Sequence, residues 1–145
     1  MKNDSVLIVG SIGLDTVETS FGKRDDLLGG SATYASISAG RFCPVNLVGI
    51  IGDDFPNDGK LIFKDYCDNI DDLRVEKGRT FRWGGRYHAN NDDRDTLFTE
   101  LGVFENFKPE LSAINKKANW IFLANIHPAL QLDVLRQCNS NPKVI

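Results

Sequence analysis

The sequence predicts an α/β fold in which a parallel β-sheet is flanked by helices and accompanied by a small antiparallel sheet. Runs of Val, Ile and Leu at 6–9, 45–51 and 120–126 are continuous rather than alternating, as expected of parallel strands covered on both faces. Helical segments separate these runs. Two further segments, about 16–28 and 79–103, alternate as half-buried antiparallel strands do.

Taken in order, the first strand at 6–9 is followed by Gly10-Ser11-Ile12-Gly13-Leu14-Asp15 and then by a hairpin turning near Phe21-Gly22-Lys23. Gly29-Gly30 opens a helix from Ser31 to Arg41, whose Ala32, Ala35, Ser36 and Ala39 offer a small face for close packing. The strand at 45–51 exits through Gly52-Asp53-Asp54. A helix is expected from Asp58 to about Asp68, with Leu61, Ile62, Tyr66 and Cys67 at helical spacing. The second hairpin pairs 80–88 with 96–103 around a polar turn at Asn90-Asn91-Asp92-Asp93-Arg94. Pro109 in the first turn and Lys116-Lys117 at the end predict a helix over 109–117. After the third long strand, Pro128 starts a helix burying Leu130, Val134 and Leu135, and Lys143-Val144-Ile145 has strand character.

The chain's 145 residues with 41% hydrophobic content suffice for one domain with a real core. A net charge of −3 with scattered basic residues gives no attraction for nucleic acid or acidic membranes. Cys43, Cys67 and Cys138 are odd in number and widely spaced, which fits buried thiols in a reducing cytoplasm rather than a disulfide framework or a zinc site. The N-terminal apolar run is too short for a signal peptide or a membrane span.

Asp15 is the leading candidate for a binding residue, because a carboxylate near a strand end can accept hydrogen bonds from two neighbouring hydroxyls. Gly29, Gly30 and Ser31 at the helix start would let a ligand approach backbone N–H groups. The plainer account of these residues is a strand end and a tight turn. Arg82 and Arg86 alternate on one strand face and could grip a carboxylate or phosphate, or simply pair with Glu100 or Asp95. Asn125 and His127 sit at the carboxyl end of the third strand, where open α/β sheets bind ligands, although both residue types also satisfy local backbone. Asp53 and Asp54 follow another strand exit with the same two accounts open. Gly22-Lys23-Arg24 and Gly59-Lys60-Leu61 are turns, not phosphate loops.

The succession of strand, Gly10 to Asp15, hairpin, Gly29-Gly30, helix and Val48-Gly49-Ile50-Ile51-Gly52-Asp53 resembles the ribokinase-like (PfkB) carbohydrate kinase family across essentially the whole chain. The resemblance implies a ribokinase-type parallel sheet with a β lid formed by 16–28 and 79–103. It implies ATP-dependent phosphorylation of a sugar or sugar-acid hydroxyl, with Asp15 on the acceptor. Where the family often carries Asn four residues after the second Gly, this chain has Tyr34, which leaves the sugar open. The family's second signature, a Gly-Ala-Gly-Asp run supplying an anion hole and catalytic base, does not occur. The resemblance therefore implies that 1–145 is an N-terminal half without catalytic or metal-binding residues, inactive alone. ATP and Mg2+ would bind mainly to the absent C-terminal half.

The lid of that family commonly mates with a second subunit's lid. Phe81, Trp83 and Tyr87 on one face, with Leu97, Leu101 and Val103 on another strand, accordingly predict a homodimer through the lid. Two other readings stand beside the kinase: an inactive small-molecule-binding or dimerisation module derived from one, and a dinucleotide-binding domain. The latter is disfavoured because Gly10 to Asp15 lacks the third glycine and precedes a hairpin.

Overall fold

A computed structural model describes residues 5–89 and 93–145; Met1 to Asp4 and the Asn90-Asn91-Asp92 tip of the expected polar turn lie outside them. Among the described residues, strands β1 (Val6–Val9), β4 (Val45–Gly52), β5 (Leu73–Glu76), β8 (Trp120–Leu123) and β9 (Lys143–Val144) form a parallel sheet in the order β5-β4-β1-β8-β9. A second sheet has the order β3-β2-β6-β7, from β2 (Gly13–Thr19), β3 (Gly22–Gly29), β6 (Phe81–Tyr87) and β7 (Arg94–Glu100). The β2–β3 and β6–β7 pairs are antiparallel hairpins, while β2 and β6 run parallel.

Continuous apolar composition in β1 and β4 is explained by cover on both faces. Ile8, Leu47 and Ile51 pack with Phe55 and Phe63 under helices α1 (Ser31–Ala39) and α2 (Asn57–Tyr66). Leu7, Val9, Val48 and Ile121 face the other way, toward Val134 on helix α3 (Pro128–Gln137) and toward Phe107 and Leu111. Each aliphatic side chain so buried contributes roughly 1.5–3 kcal/mol. The small face of α1 brings its end against α2: a methyl at Gly40 would overlap the Tyr66 carbonyl.

Three expectations are corrected, and one strand was not anticipated. Residues 109–117 form no α-helix, only a 3₁₀ turn at Asn115–Lys117. Long side chains take over the backbone there: Gln137 accepts from the Leu111 N–H and donates to the Pro109 carbonyl, and Asp72 accepts from the Ser112 N–H. Asn115 is buried and bridges Asp72 to Asn46 on β4, so tertiary hydrogen bonds override local propensity. The strand expected over 120–126 ends at Leu123, because Asn125 and Ile126 turn the chain into α3.

Leu101 and Val103 are not lid-strand residues. Gly102 adopts φ +54° and starts a 3₁₀ turn, Gly102–Asn106, which carries Val103 into the main core. Finally, β5 was not anticipated. Its four residues are too few to establish a period, and Val75 is exposed at the sheet edge.

Candidate functional site

The parallel pairing of β2 with β6 sets Asp15 opposite Trp83 and Gly13 opposite Phe81. With the two-residue period of a strand, Asp15, Phe81, Trp83 and Tyr87 share one face of the second sheet. That face stands over the carboxyl ends of β1 and β8, and between them lies an open cleft of about 480 Å3 lined by Ser11, Asp15, Tyr34, Trp83, Tyr87 and Asn125 among others. The cleft lies where open α/β sheets hold their ligands, and its volume is that of a small-molecule site.

Asp15 is half-buried, and burial holds its carboxyl above the usual range. Among the described residues no cation or hydrogen-bond donor is directed at the carboxylate, so its acceptor capacity is unspent. Gly29 stands against it: a methyl there would overlap the carboxylate, so Gly29 leaves the room in which Asp15 lies. Neighbouring Gly30 has φ +95°, and a Cβ would collide with the Ser11 carbonyl. Only glycine fits without strain.

Ser11 and Ser31 tie β1 to α1 reciprocally. The Ser31 N–H donates to Ser11 Oγ at 3.1 Å, the Ser11 N–H donates to Ser31 Oγ at 3.3 Å, and the Ala32 N–H donates to the Ser11 carbonyl at 2.9 Å. Ser31 Oγ also donates to the Asn125 carbonyl at 3.3 Å, linking in the β8 exit. The Ser31 and Ala32 amides at the start of α1 are therefore engaged within the chain. With those amides engaged, the start of α1 offers no free cradle for a phosphate group.

The aromatic wall depends on two more glycines. Trp83 folds along β6 over Gly85, while Phe98 from β7 covers Gly84 on the opposite face; a methyl at either glycine would overlap the ring. Arg94 lies with Cζ 5.6 Å from the Trp83 ring centroid, a cation–π distance, and also borders the cleft.

Beside Phe98, the other face of the lid sheet carries ion pairs. Arg82 pairs with Asp26 on β3 and, at 3.0 Å, with Asp54 beyond β4. Asp54 also accepts from the Thr80 N–H at 2.7 Å and hydroxyl at 2.6 Å, and the Gly52 N–H donates to Thr80 Oγ1. Burial acts to raise the Asp54 pKa, but the bonds from Thr80 and Arg82 outweigh it and the net shift is downward. Asp53 accepts from the Gly78 N–H at 3.0 Å, so both acids fasten the lid root to the body. Arg86 forms a fork with Glu18, with Nε 3.0 Å and Nη2 3.3 Å from its two oxygens.

Of the residues anticipated from sequence, Asp15, Gly30, Ser31, Tyr34 and Asn125 line the cleft, and Gly29 stands behind Asp15. Arg82 and Arg86 are not brought to it. His127 is exposed, accepts from the Ala129 N–H through Nδ1 as the cap of α3, and borders a separate apolar cavity with Phe104 and Leu130. Ser11 and Arg94 were not anticipated. Phe81, Trp83 and Tyr87 were expected under a partner's lid, yet they are half-buried walls of the chain's own cleft. The alternating pattern of β6 carried that signal, but not which face turns inward.

Among the described residues no cluster of three or more His, Cys, Asp or Glu could hold a metal ion, and no helix is long and apolar enough to cross a membrane. No protein-family model matches the chain, and no curated protein sequence matches it. Solved structures do. A nucleoside kinase of Methanocaldococcus jannaschii, described as an archaeal member of the ribokinase family, superposes over 97% of this chain and 51% of its own, with TM-score 0.76 and 18% identity. Ribokinase from Cryptococcus neoformans in complex with ADP matches over 99% and 48%, with TM-score 0.78 and 18% identity. Arabidopsis thaliana ribokinase complexed with ribose and ATP matches over 97% and 52%, with TM-score 0.74 and 17% identity. The fold is the ribokinase-like α/β fold, and the chain spans about half the length of these structures.

Proposed function

We propose that this chain is the acceptor-binding half of an ATP-dependent carbohydrate kinase, which transfers the γ-phosphate to a hydroxyl of a small sugar or sugar-like molecule. The observation that carries this reading is the unspent, half-buried carboxylate of Asp15 in a lidded cleft at the sheet's carboxyl end. Such a carboxylate accepts from two adjacent hydroxyls, and the aromatic wall excludes water while packing on the ligand's apolar face. The likeness of fold to ribokinases and a nucleoside kinase supports the same reading.

In this reading the catalytic base, ATP and Mg2+ belong to a complementary C-terminal half, and residues 1–145 have no catalytic turnover of their own. The protein works in the cytoplasm, consistent with three free thiols. Two copies pair through the lid, whose edge strand β7 exposes Leu97 at 40%. The alternative of an inactive binding or dimerisation module draws on the lining of the cleft, in which Asp15 is the one carboxylate and no phosphate site stands beside it among the described residues.

Calorimetric titration of residues 1–145 with sugars and sugar acids, beside a phosphorylation assay with ATP and Mg2+, tests this. The expectation is binding without turnover. Turnover at about one per second or faster, typical of kinases, would mean that the chain holds a complete active site. Absence of binding to any polyol overturns the acceptor role.

A further inference from the structure

The first hairpin changes register beside Asp15. From Thr19 with Gly22 to Val17 with Arg24 the two strands pair in one register, and from Asp15 with Leu27 to Gly13 with Gly29 they pair in another, displaced by one residue. Asp25 and Asp26 on β3 therefore oppose Thr16 alone on β2, which is a β-bulge. Asp26 carries the irregularity with φ +55°, and among the described residues no other non-glycine has a positive φ. Asp tolerates that region better than most side chains do. Both bulged residues are tied down: the Asp26 carboxylate pairs across β2 with Arg82 on β6, and the Thr16 hydroxyl donates to Asp25 Oδ1 at 2.8 Å.

The extra residue decides what stands behind the anchor. Had the register of the hairpin turn run on, Leu28 would lie opposite Gly13, in the place that Gly29 takes. Even a methyl group at that place overlaps the Asp15 carboxylate, and a leucine side chain is larger. The same slip would carry Leu28 off the face on which it packs with the core. The bulge thus delivers a residue without a side chain to the spot where Asp15 needs room. We infer that Asp26, which does not line the cleft, is a positioning residue for acceptor binding: its left-handed backbone sets the register that keeps Gly29 behind Asp15 and the carboxylate aimed into the cleft. This rests on the reading of Asp15 as a polyol anchor.

The test is calorimetric titration of the chain with ribose, at a temperature where circular dichroism shows each variant folded. Asp26→Val disfavours positive φ through its branched side chain and should weaken binding several-fold or more. Asp26→Gly takes up positive φ freely while losing the ion pair to Arg82, and should bind ribose as the parent chain does. Asp26→Ala, a milder bar to the same conformation, takes the place of Asp26→Val if that variant does not fold. In the Asp15→Asn background the same substitution should cost no further affinity, because residues that act through one another are not additive. Parent-like affinity in Asp26→Val, or in Asp26→Ala where only that variant folds, overturns the inference, and so does a loss that adds in full to that of Asp15→Asn. An equal loss in Asp26→Gly overturns it in favour of the ion pair. All three outcomes leave the polyol anchor standing so long as Asp15→Asn binds ribose more weakly than the parent chain. If it does not, the anchor itself fails and the inference falls with it.

Discussion

The α-carbon of Gly29 is packed against the carboxylate of Asp15, with no space between them for a methyl group. The two residues are diagonal neighbours across the first hairpin, where β2 and β3 pair Gly13 with Gly29 and Asp15 with Leu27. The glycine pair therefore shapes the anchor directly, and each glycine does so through a different constraint.

Gly29→Ala should displace Asp15 and weaken polyol binding about as much as removing its charge, with little loss of melting temperature, since a side chain can move aside. Gly30→Ala should do the reverse. Its φ of +95° and the nearby Ser11 carbonyl make a Cβ cost about 1–3 kcal/mol of stability. Thermal unfolding beside ligand titration separates the two; equal stability losses would refute the distinction.

Asp15→Asn keeps the shape and removes the charge, so polyol affinity should fall by about 1.5–3 kcal/mol with folding almost unchanged. Unaltered affinity with a lowered melting temperature would instead identify Asp15 as a structural residue.

Because burial raises the Asp15 pKa, the residue takes up its proton at a higher pH than an ordinary carboxylate. Ligand hydroxyls favour the ionised form, so affinity should be full above that raised value and fall as pH drops through it. The same burial makes the charged form a cost to the native state at high pH, a cost relieved as the proton binds. Titrations at stepped pH should show the decline in the wild type and not in Asp15→Asn.

The latch at the lid root is separable from the ligand. Asp54→Ala leaves the Thr80 N–H and hydroxyl without their acceptor and Arg82 with one carboxylate fewer, so it should cost about 1–3 kcal/mol. Hydrogen exchange should quicken in β6 more than in β1. The net lowering of the Asp54 pKa means that its contribution is present above the ordinary carboxylate value and is lost as pH falls through the lower native one. Uniform exchange across both sheets would argue against a local latch.

Pairing of two lids should depend on Leu97 rather than on Trp83, which faces the cleft. Leu97→Asp should give monomers in sedimentation velocity at concentrations where the parent chain is dimeric. A parent chain that is monomeric at high micromolar concentration removes the shared lid altogether.

The parallel sheet and the two hairpins were legible because burial writes itself into composition. Continuous apolar runs mark β1 and β4, and strict alternation marks β6. The β5 strand and the 109–117 segment were not legible, for opposite reasons. Leu73 to Glu76 is too short for a period, whereas Pro109 to Lys117 has good helix-end chemistry that Gln137, Asp72 and Asn46 overrule from elsewhere in the chain. At the site, Asp15 and Gly29-Gly30 stood out because glycine pairs and strand-end acids have few other uses. Arg82 and Arg86 misled because the period of a strand tells which residues share a face, but not which face closes on the cleft.

The parallel register of β2 with β6 has a kinetic consequence. These central lid strands lie far apart along the chain, with α1, β4, α2 and β5 intervening, and neighbouring parallel strands cannot be joined by a tight turn. Each hairpin closes through a local turn, but the pairing of β2 with β6 is a distant contact whose loop-closure entropy must be met before it is rewarded. The lid is thus no contiguous stretch of chain, and the cleft depends on two hairpins that only the intervening body brings side by side.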